Sequence, residues 1–420
     1  MSYTYTDKIK FALTPNFDAF NRLRISQPLT LFDSSHRYAD NGLWTSDTTG
    51  TATIAFNQDQ GLVELEIGSS SGDEIIRETT KVFSYQPGKS LLVLNTFVME
   101  PAKSGLRQRV GYYGEDNGIY FQLEDSTAAF VERSLVTGTP TETRISQFGG
   151  VYGAGDTGWN YDQMDGNGPS GITLDLEEAQ IMWMDVEWLG VGTVRIGFVI
   201  DGELVLCHQF HHANLIQSTY ITTASLPLRY EIANTSTTSG VSTLKQICSS
   251  IISEGGYELR GVQRSVGTPI TSAYSLTTAG TFYPIVSLRL KTSPDRLDAI
   301  VILTALSIMA NSTGNFNWRV TAGGTTSGGA WVSGGTDSAV EYNITGTSIS
   351  GSTDRILASG YFSQSNQGGS QVDILKEALF KFQLERDGLT GTPYEITLEV
   401  TAGTNTETVF GAIDWEEISR

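Results

Sequence analysis

Apolar and polar residues alternate with a period of two along most of this chain. The runs "TATIAFNQ" and "GLVELEIG" begin the pattern, and "KSLLVLNTFVM", "RQRVGYYG", "GIYFQLED", "AAFVERS", "IMWMDVEWLG", "VRIGFVIDGELVLCHQF" and "LPLRYEIA" carry it on. Successive side chains on a strand point to opposite faces, so each run predicts a strand with one buried face. Short strands at this spacing, punctuated by turn residues, predict an antiparallel sandwich over 44–262. A second series, from "TFYPIVSLRLK" through "LDAIVILTALSIM" to "TVFGAIDWEEISR", predicts a further β-rich domain over 277–420.

Three stretches depart from the alternation. Residues 1–43 hold neither a period of 2 nor one of 3.6, which predicts an extended N-terminal anchoring arm that takes its stability from a neighbouring surface. The segment 263–276, containing "SVGTPITSAYSL", reads as a linker. In "DILKEALFKFQL" the apolar residues Ile374, Leu375, Ala378, Leu379 and Phe382 follow helical spacing, so this is the best helix candidate, with a β meander as its competitor.

Composition agrees with a β protein. Of 420 residues 45 are Gly, and only 17% are charged. The net charge of -19 predicts a surface that repels phosphate backbones and anionic lipid, so neither nucleic acid nor membrane is an expected partner. No apolar run approaches the roughly 18 residues of a membrane helix, and the N-terminus lacks the apolar core of a signal peptide, which points to synthesis as a soluble cytoplasmic product. Cys207 and Cys248 are too few for a disulfide framework and read as two free buried thiols, with a single bridge as the alternative.

The stretch "CHQFHHANL" gathers three of the four histidines and one cysteine. Asp201 and Gly202 before it predict a hairpin turn, which makes the stretch a return strand. Alternation then sends Cys207, Gln209 and His211 to one face and His208, Phe210 and His212 to the other. A zinc site needs three or four converging ligands, and one face offers two, so no metal and no cofactor are expected. A Cys207–His211 dyad would lack an oxyanion turn, and adjacent acids such as Glu177 and Glu178 diverge on a strand, so no catalytic residues are assigned.

The Gly- and Asp-rich stretch 149–171 predicts a long surface loop. Tyr152, Trp159 and Tyr161 stand there among Asp156, Asp162 and Asp165, the residue types that hold sugars through ring faces and carboxylate hydrogen bonds. The plainer alternative is that the aromatic residues pin the loop to the sandwich. The "DQMDGNG" run lacks the twelve-residue loop and closing Glu of a calcium site.

Three stretches together resemble proteins of tailed-phage virions, especially of cyanophages and related marine phages. They are the opening "DAFNRLRISQPLTLFDSSHRY", the pair "EWLGVGTVRIGFVIDG" and "FHHAN" followed by "LPLRYEI", and the terminal "DWEEISR". The resemblance implies an all-β fold: a lectin-like or laminin-G-like antiparallel sandwich, then a second, jelly-roll-like β-sandwich, with the extended arm in front. It also implies a non-enzymatic virion structural protein, exposed as a capsid decoration or fibre-like component. The alternative is a tail-fibre or receptor-binding protein that recognises host surface glycan. Expected partners are other virion proteins of capsid, neck or tail and further copies of this chain, a trimer by analogy with other phage decorations. Arg22 and Arg24 are candidate assembly contacts, with intrachain pairing to Asp18 or Asp33 equally open.

Overall fold

The computed structural model describes residues 26–258, 260–353, 355–364, 370–373 and 382–419. Among them the chain is all-β, and every strand pairing is antiparallel. Two sandwiches follow one another, each with its own apolar core.

The first sandwich packs an eight-stranded sheet on a seven-stranded one. The eight-stranded sheet runs Glu203–Phe210, Val194–Ile200, Gln180–Val186, Leu91–Val98, Ser242–Ser253, Leu62–Ile67, Ala52–Asn57, and Leu29–Ser35 also pairs with Ser242–Ser253. The seven-stranded sheet runs Thr141–Ser146, Thr127–Ser134, Gly118–Glu124, Leu106–Tyr113, Leu228–Asn234, Glu74–Thr79, Trp44–Thr49. Between them lie Val63, Leu65, Val93, Phe97, Val110, Phe121, Phe130, Phe198 and Ile232, all fully buried. The expected hairpin is present: Asp201 and Gly202 both take positive φ, as a tight two-residue turn requires.

Two boundaries differ from the sequence reading. The arm ends earlier than residue 43, because Leu31, Phe32 and Ser34 are buried and Leu29–Ser35 is a strand of the first sandwich. Its alternation was hidden by a register irregularity between Thr30 and Phe32. The 263–276 linker is likewise structured: Val262–Gly267 and Tyr274–Leu276 both pair with the last strand, Glu407–Ser419, inside the second sandwich. Arg22, Arg24 and most of the helix candidate at 374–381 lie outside the described residues.

In the second sandwich, Glu407–Ser419 and Ile300–Ala310 centre one sheet, and Tyr283–Leu290, Glu395–Ala402 and Asn315–Ser327 centre the other. Phe316, Trp318, Leu398 and Trp415 fill the space between.

The two sandwiches are joined by more than a chain connection. Val82 packs with Ile300 and Ile302 in a small apolar cluster. Around it Arg386 N donates to Thr80 O, Gln383 Nε2 to Val82 O, and Arg386 Nη1 to Thr79 O, at 2.9, 3.0 and 3.1 Å. Arg386 also pairs with Glu78 at 2.9 Å and with Asp298 at 3.0 Å, while Glu385 meets Lys81 and Arg355. Both Arg386 and Glu78 are almost wholly removed from water. A buried charge stripped of one partner is costly, so Arg386→Ala is expected to lower stability by about 3 kcal/mol, measured as a shift in the urea unfolding midpoint.

Candidate functional site

The four central strands of the seven-stranded sheet, Thr127–Ser134, Gly118–Glu124, Leu106–Tyr113 and Leu228–Asn234, are largely buried on both faces, although many of their outward positions are polar. Gly118–Glu124 and Leu228–Asn234 carry Tyr120, Gln122, Arg229 and Glu231 outward, and none of the four is exposed. Register explains how. One row across the sheet reads Ile76, Glu231, Arg109, Gln122, Ala129, and the next reads Glu78, Arg229, Gly111, Tyr120, Val131, Arg144. A third places Tyr113 opposite Gly118, with Arg133 and Glu142 beyond.

Each tyrosine thus faces a glycine. A Cβ at Gly111 would stand 2.6 Å from the Tyr120 Cβ, and one at Gly118 would stand 2.2 Å from the Tyr113 Cβ, so only glycine fits at either place. The rings of Tyr113 and Tyr120 lie 4.4 Å apart between centroids, at a tilt of 36°. Guanidinium groups then cover them: Arg133 lies over both, Arg109 over Tyr120 and Arg229 over Tyr113, at 5.2 to 5.7 Å.

Carboxylates complete the layer. Glu231 receives Arg107 at 2.8 Å and Arg109 at 3.3 Å. Glu142 receives Arg133 at 2.7 Å, Arg144 and the Tyr120 hydroxyl. Glu78 receives Arg229 at 2.6 Å. Burial works against the charge on Glu231 and Glu142, yet the surrounding arginines hold both carboxyls below the usual carboxylate range, Glu142 at about 2. Burial raises the pKa of Tyr113 well above that of a free phenol, so the ring stays neutral beneath its arginines.

This layer floors a cleft of about 470 Å³ between the two sandwiches. Exposed Glu115 and Asp116 of the first sandwich and Asp295 and Asp298 of the second form its walls. Its described lining holds eight carboxylates and five guanidiniums. Such a surface offers fixed donors and acceptors side by side, with net negative charge.

The 149–171 loop follows the plainer of its two readings, with Trp159 pinning it to the sandwich. It closes the open side of the first sandwich, bridging an edge strand of each sheet. Trp159 N donates to Gln147 O and its Nε1 to Ile145 O on one edge, while Tyr161 N and Asp162 N donate to Cys207 O on the other. Trp159 is buried, with Phe130 stacked on its ring at 4.5 Å. The Asp156 carboxylate accepts from the Ser146, Val151 and Tyr152 amides, and Asp162 accepts from Met164 N and Ser170 N. Trp159, Asp156 and Asp162 therefore stabilise the loop and are not offered to a ligand, which corrects the sugar reading at those positions. Tyr161 and Asp165 remain at the surface, and Tyr152 lies under Arg144 at the margin of the tyrosine layer.

The histidine cluster is likewise structural. His212 Nε2 and Glu132 Oε2 lie 2.7 Å apart, joining the two sheets, and Tyr220 stacks on the imidazole at 4.0 Å. Burial depresses the basicity of His208 to about 4, and its Nδ1 accepts from Asn160 N at 3.3 Å. His208, Phe210 and His212 share one face as expected, and the structure makes it the inward one, with Gln209 and His211 on the outward. Cys207 breaks the alternation: a register shift between Ile196 and Gly197 turns it into the core. Both cysteines are free thiols, Cys207 buried and Cys248 half-buried, and no group of metal-ligating side chains converges among the described residues.

No protein-family model and no curated protein matches the chain. Solved structures give weak likenesses. A Shewanella oneidensis protein of unknown function is 12% identical, with a TM-score of 0.36 over 62% of this chain and 99% of its own. The CBM2 module of the evolved Dit of Lactobacillus casei phage J-1 is 7% identical, with a TM-score of 0.34 over 56% and 100%. Peanut lectin is 9% identical, with a TM-score of 0.28 over 54% and 98%. At these values the functional reading rests on this chain's own residues.

Because the folded Glu142 pKa is depressed, its stabilisation is present above the unfolded value near 4.5 and disappears as pH falls toward 2. Water reaches part of the carboxylate, so the linked contribution is about 1–2 kcal/mol. Unfolding free energy of the wild type is expected to fall over that window more steeply than that of Glu142→Gln, followed by urea titration at successive pH values.

Proposed function

We propose that this chain is a non-enzymatic structural protein of a tailed-phage virion, exposed on the particle as a capsid decoration or fibre-like component, and that it engages host surface glycan through the cleft between its sandwiches. The observation that carries the binding reading is the preorganised floor of that cleft. Arginines and carboxylates fixed by one another present hydrogen-bonding atoms at set positions, and binding then orders few side chains. The tyrosine faces are already occupied by guanidiniums, so recognition proceeds by hydrogen bonds and not by ring stacking. Eight carboxylates against five guanidiniums disfavour an anionic ligand and favour a neutral or amino-bearing saccharide.

The virion assignment draws on the sequence resemblance. The interlocked sandwiches fit a component that must keep its shape on a particle. Other virion proteins are the proposed partners, and a homotrimer the proposed assembly.

Quantitative mass spectrometry of purified particles is expected to find the chain at a fixed copy number relative to the major capsid protein. Its absence would overturn the virion assignment. On an array of host envelope glycans the purified chain is expected to bind saturably. Asp116→Ala and Asp295→Ala, at exposed wall positions, should each weaken binding about tenfold with an unchanged melting temperature, and unaltered binding by both variants rejects the cleft.

A further inference from the structure

His36 follows the first described strand, Leu29–Ser35, and its imidazole is buried, at 1% exposure. Unlike His208 and His212, it has no hydrogen-bond partner at either ring nitrogen among the described residues. Two charged groups act on the ring. Asp40 Oδ1 lies 3.7 Å from Nδ1, and Arg77, from the facing sheet, donates to the same oxygen at 2.6 Å. Arg77 is itself buried, and its other partners, Gln246 Oε1 at 2.8 Å and Ser46 Oγ at 3.0 Å, are neutral. Tyr230, also near Arg77, stays a neutral phenol because burial raises its pKa. Asp40 is thus the one carboxylate paired with Arg77 among the described residues.

A neutral imidazole fills this space without adding charge. Once protonated, it would set two cations against one carboxylate where water is largely excluded. Burial opposes the charged ring more than Asp40 favours it, so the folded pKa lies below the ordinary value of 6.5. The contribution of His36 to folding is therefore intact above 6.5 and is lost as pH falls below it, because only the released ring takes up the proton. The strand that leads into His36 is the one placed to respond. It pairs with Ser242–Ser253 alone, beside the path of the other seven strands, so it can leave without parting any other pair. Among its other ties are the packing of Phe32 on Phe83 and Trp44, and bonds to Ser34 Oγ from Trp44 Nε1 and Asn41 Nδ2 at 2.9 and 2.5 Å.

We propose that His36, Asp40 and Arg77 form an acid-sensitive clasp that frees the strand Leu29–Ser35, and with it the N-terminal end of the chain, from the first sandwich. Through this strand the N-terminal residues, expected from the sequence to anchor the chain, join the fold. Its release loosens that attachment in mild acid while the other strands stay paired.

The test is hydrogen exchange followed by mass spectrometry on the full chain, corrected for the intrinsic pH dependence of exchange. The amides of Leu29–Ser35 are expected to open about tenfold more often at about pH 5.5 than at neutral pH, the ratio for an imidazole that regains its ordinary pKa on release. Those of Leu91–Val98 should keep their protection. His36→Gln and His36→Phe cannot titrate, and each should abolish the response; the Phe variant decides if the Gln variant fails to fold. His208 is also buried and titrates in the same range, but it lies on Glu203–Phe210 at one edge of the sheet and is intact in both variants. A response of Leu29–Ser35 that persists without His36 overturns the clasp. So does a wild type in which that strand shows no response, or in which every strand of the first sandwich opens equally.

Discussion

Pairing of buried charge on the outward face of the seven-stranded sheet is the constraint on which the rest of the structure depends. Glu78, Glu231 and Arg109 are all largely removed from water, and a lone ion there would cost several kcal/mol. Each therefore has its counterion fixed by cross-strand register: Glu78 opposite Arg229, and Glu231 opposite Arg109. A slip of one residue along any of these strands would turn the ions into the apolar core and Val110 or Ile232 out of it. Apolar and ionic requirements agree on one register, so each enforces the other.

The same constraint reaches the second sandwich. Glu78 is shared between Arg229 of its own sheet and Arg386 of the other domain, and Arg386 in turn donates to the backbone at Thr79. The orientation of the two sandwiches is therefore set by directional contacts and not only by the apolar patch at Val82 and Ile302. Directional contacts of this kind resist sliding better than an apolar surface does. They also place Asp295 and Asp298 opposite Glu115 and Asp116, so the cleft exists only because the domains are locked.

How much of this was legible in the sequence depends on the range of the interactions involved. Alternation within a strand is local, and it disclosed the two β-rich blocks, the turn at Asp201 and Gly202, and the common face of His208, Phe210 and His212. The tyrosine and arginine layer was half visible. "RQRVGYYG" and "GIYFQLED" put Arg107, Arg109 and Tyr113, and Tyr120 and Gln122, on a common parity with a glycine in each run. What alternation leaves open is which strands are neighbours, and only neighbour identity brings Glu231 beside Arg109 or Tyr113 over Gly118. Bulges defeat it outright, as at Thr30 in the first strand and at Cys207, the extra residue between the Ile196–His208 and Gly197–Leu206 pairs. The 149–171 loop misled for another reason: Trp159 among acids has one composition whether the ring faces a sugar or fills a core. The edge strands that needed covering were not visible from the loop itself.

The charge balance of the molecule follows from this internal pairing. The chain carries a net charge of -19, while Arg107, Arg109, Arg133, Arg144 and Arg229 of the first sandwich are engaged with carboxylates in the sheet layer. These cations neutralise the carboxylates of the sheet layer itself, so the floor of the cleft is a set of ion pairs while uncovered negative charge stands at its mouth, on Glu115, Asp116 and Asp295. A wall of carboxylates over a floor of neutralised ion pairs selects a ligand rich in hydroxyl donors and without negative charge. The folding constraint that hides arginine beneath the cleft is thus also what sets the chemistry of its mouth.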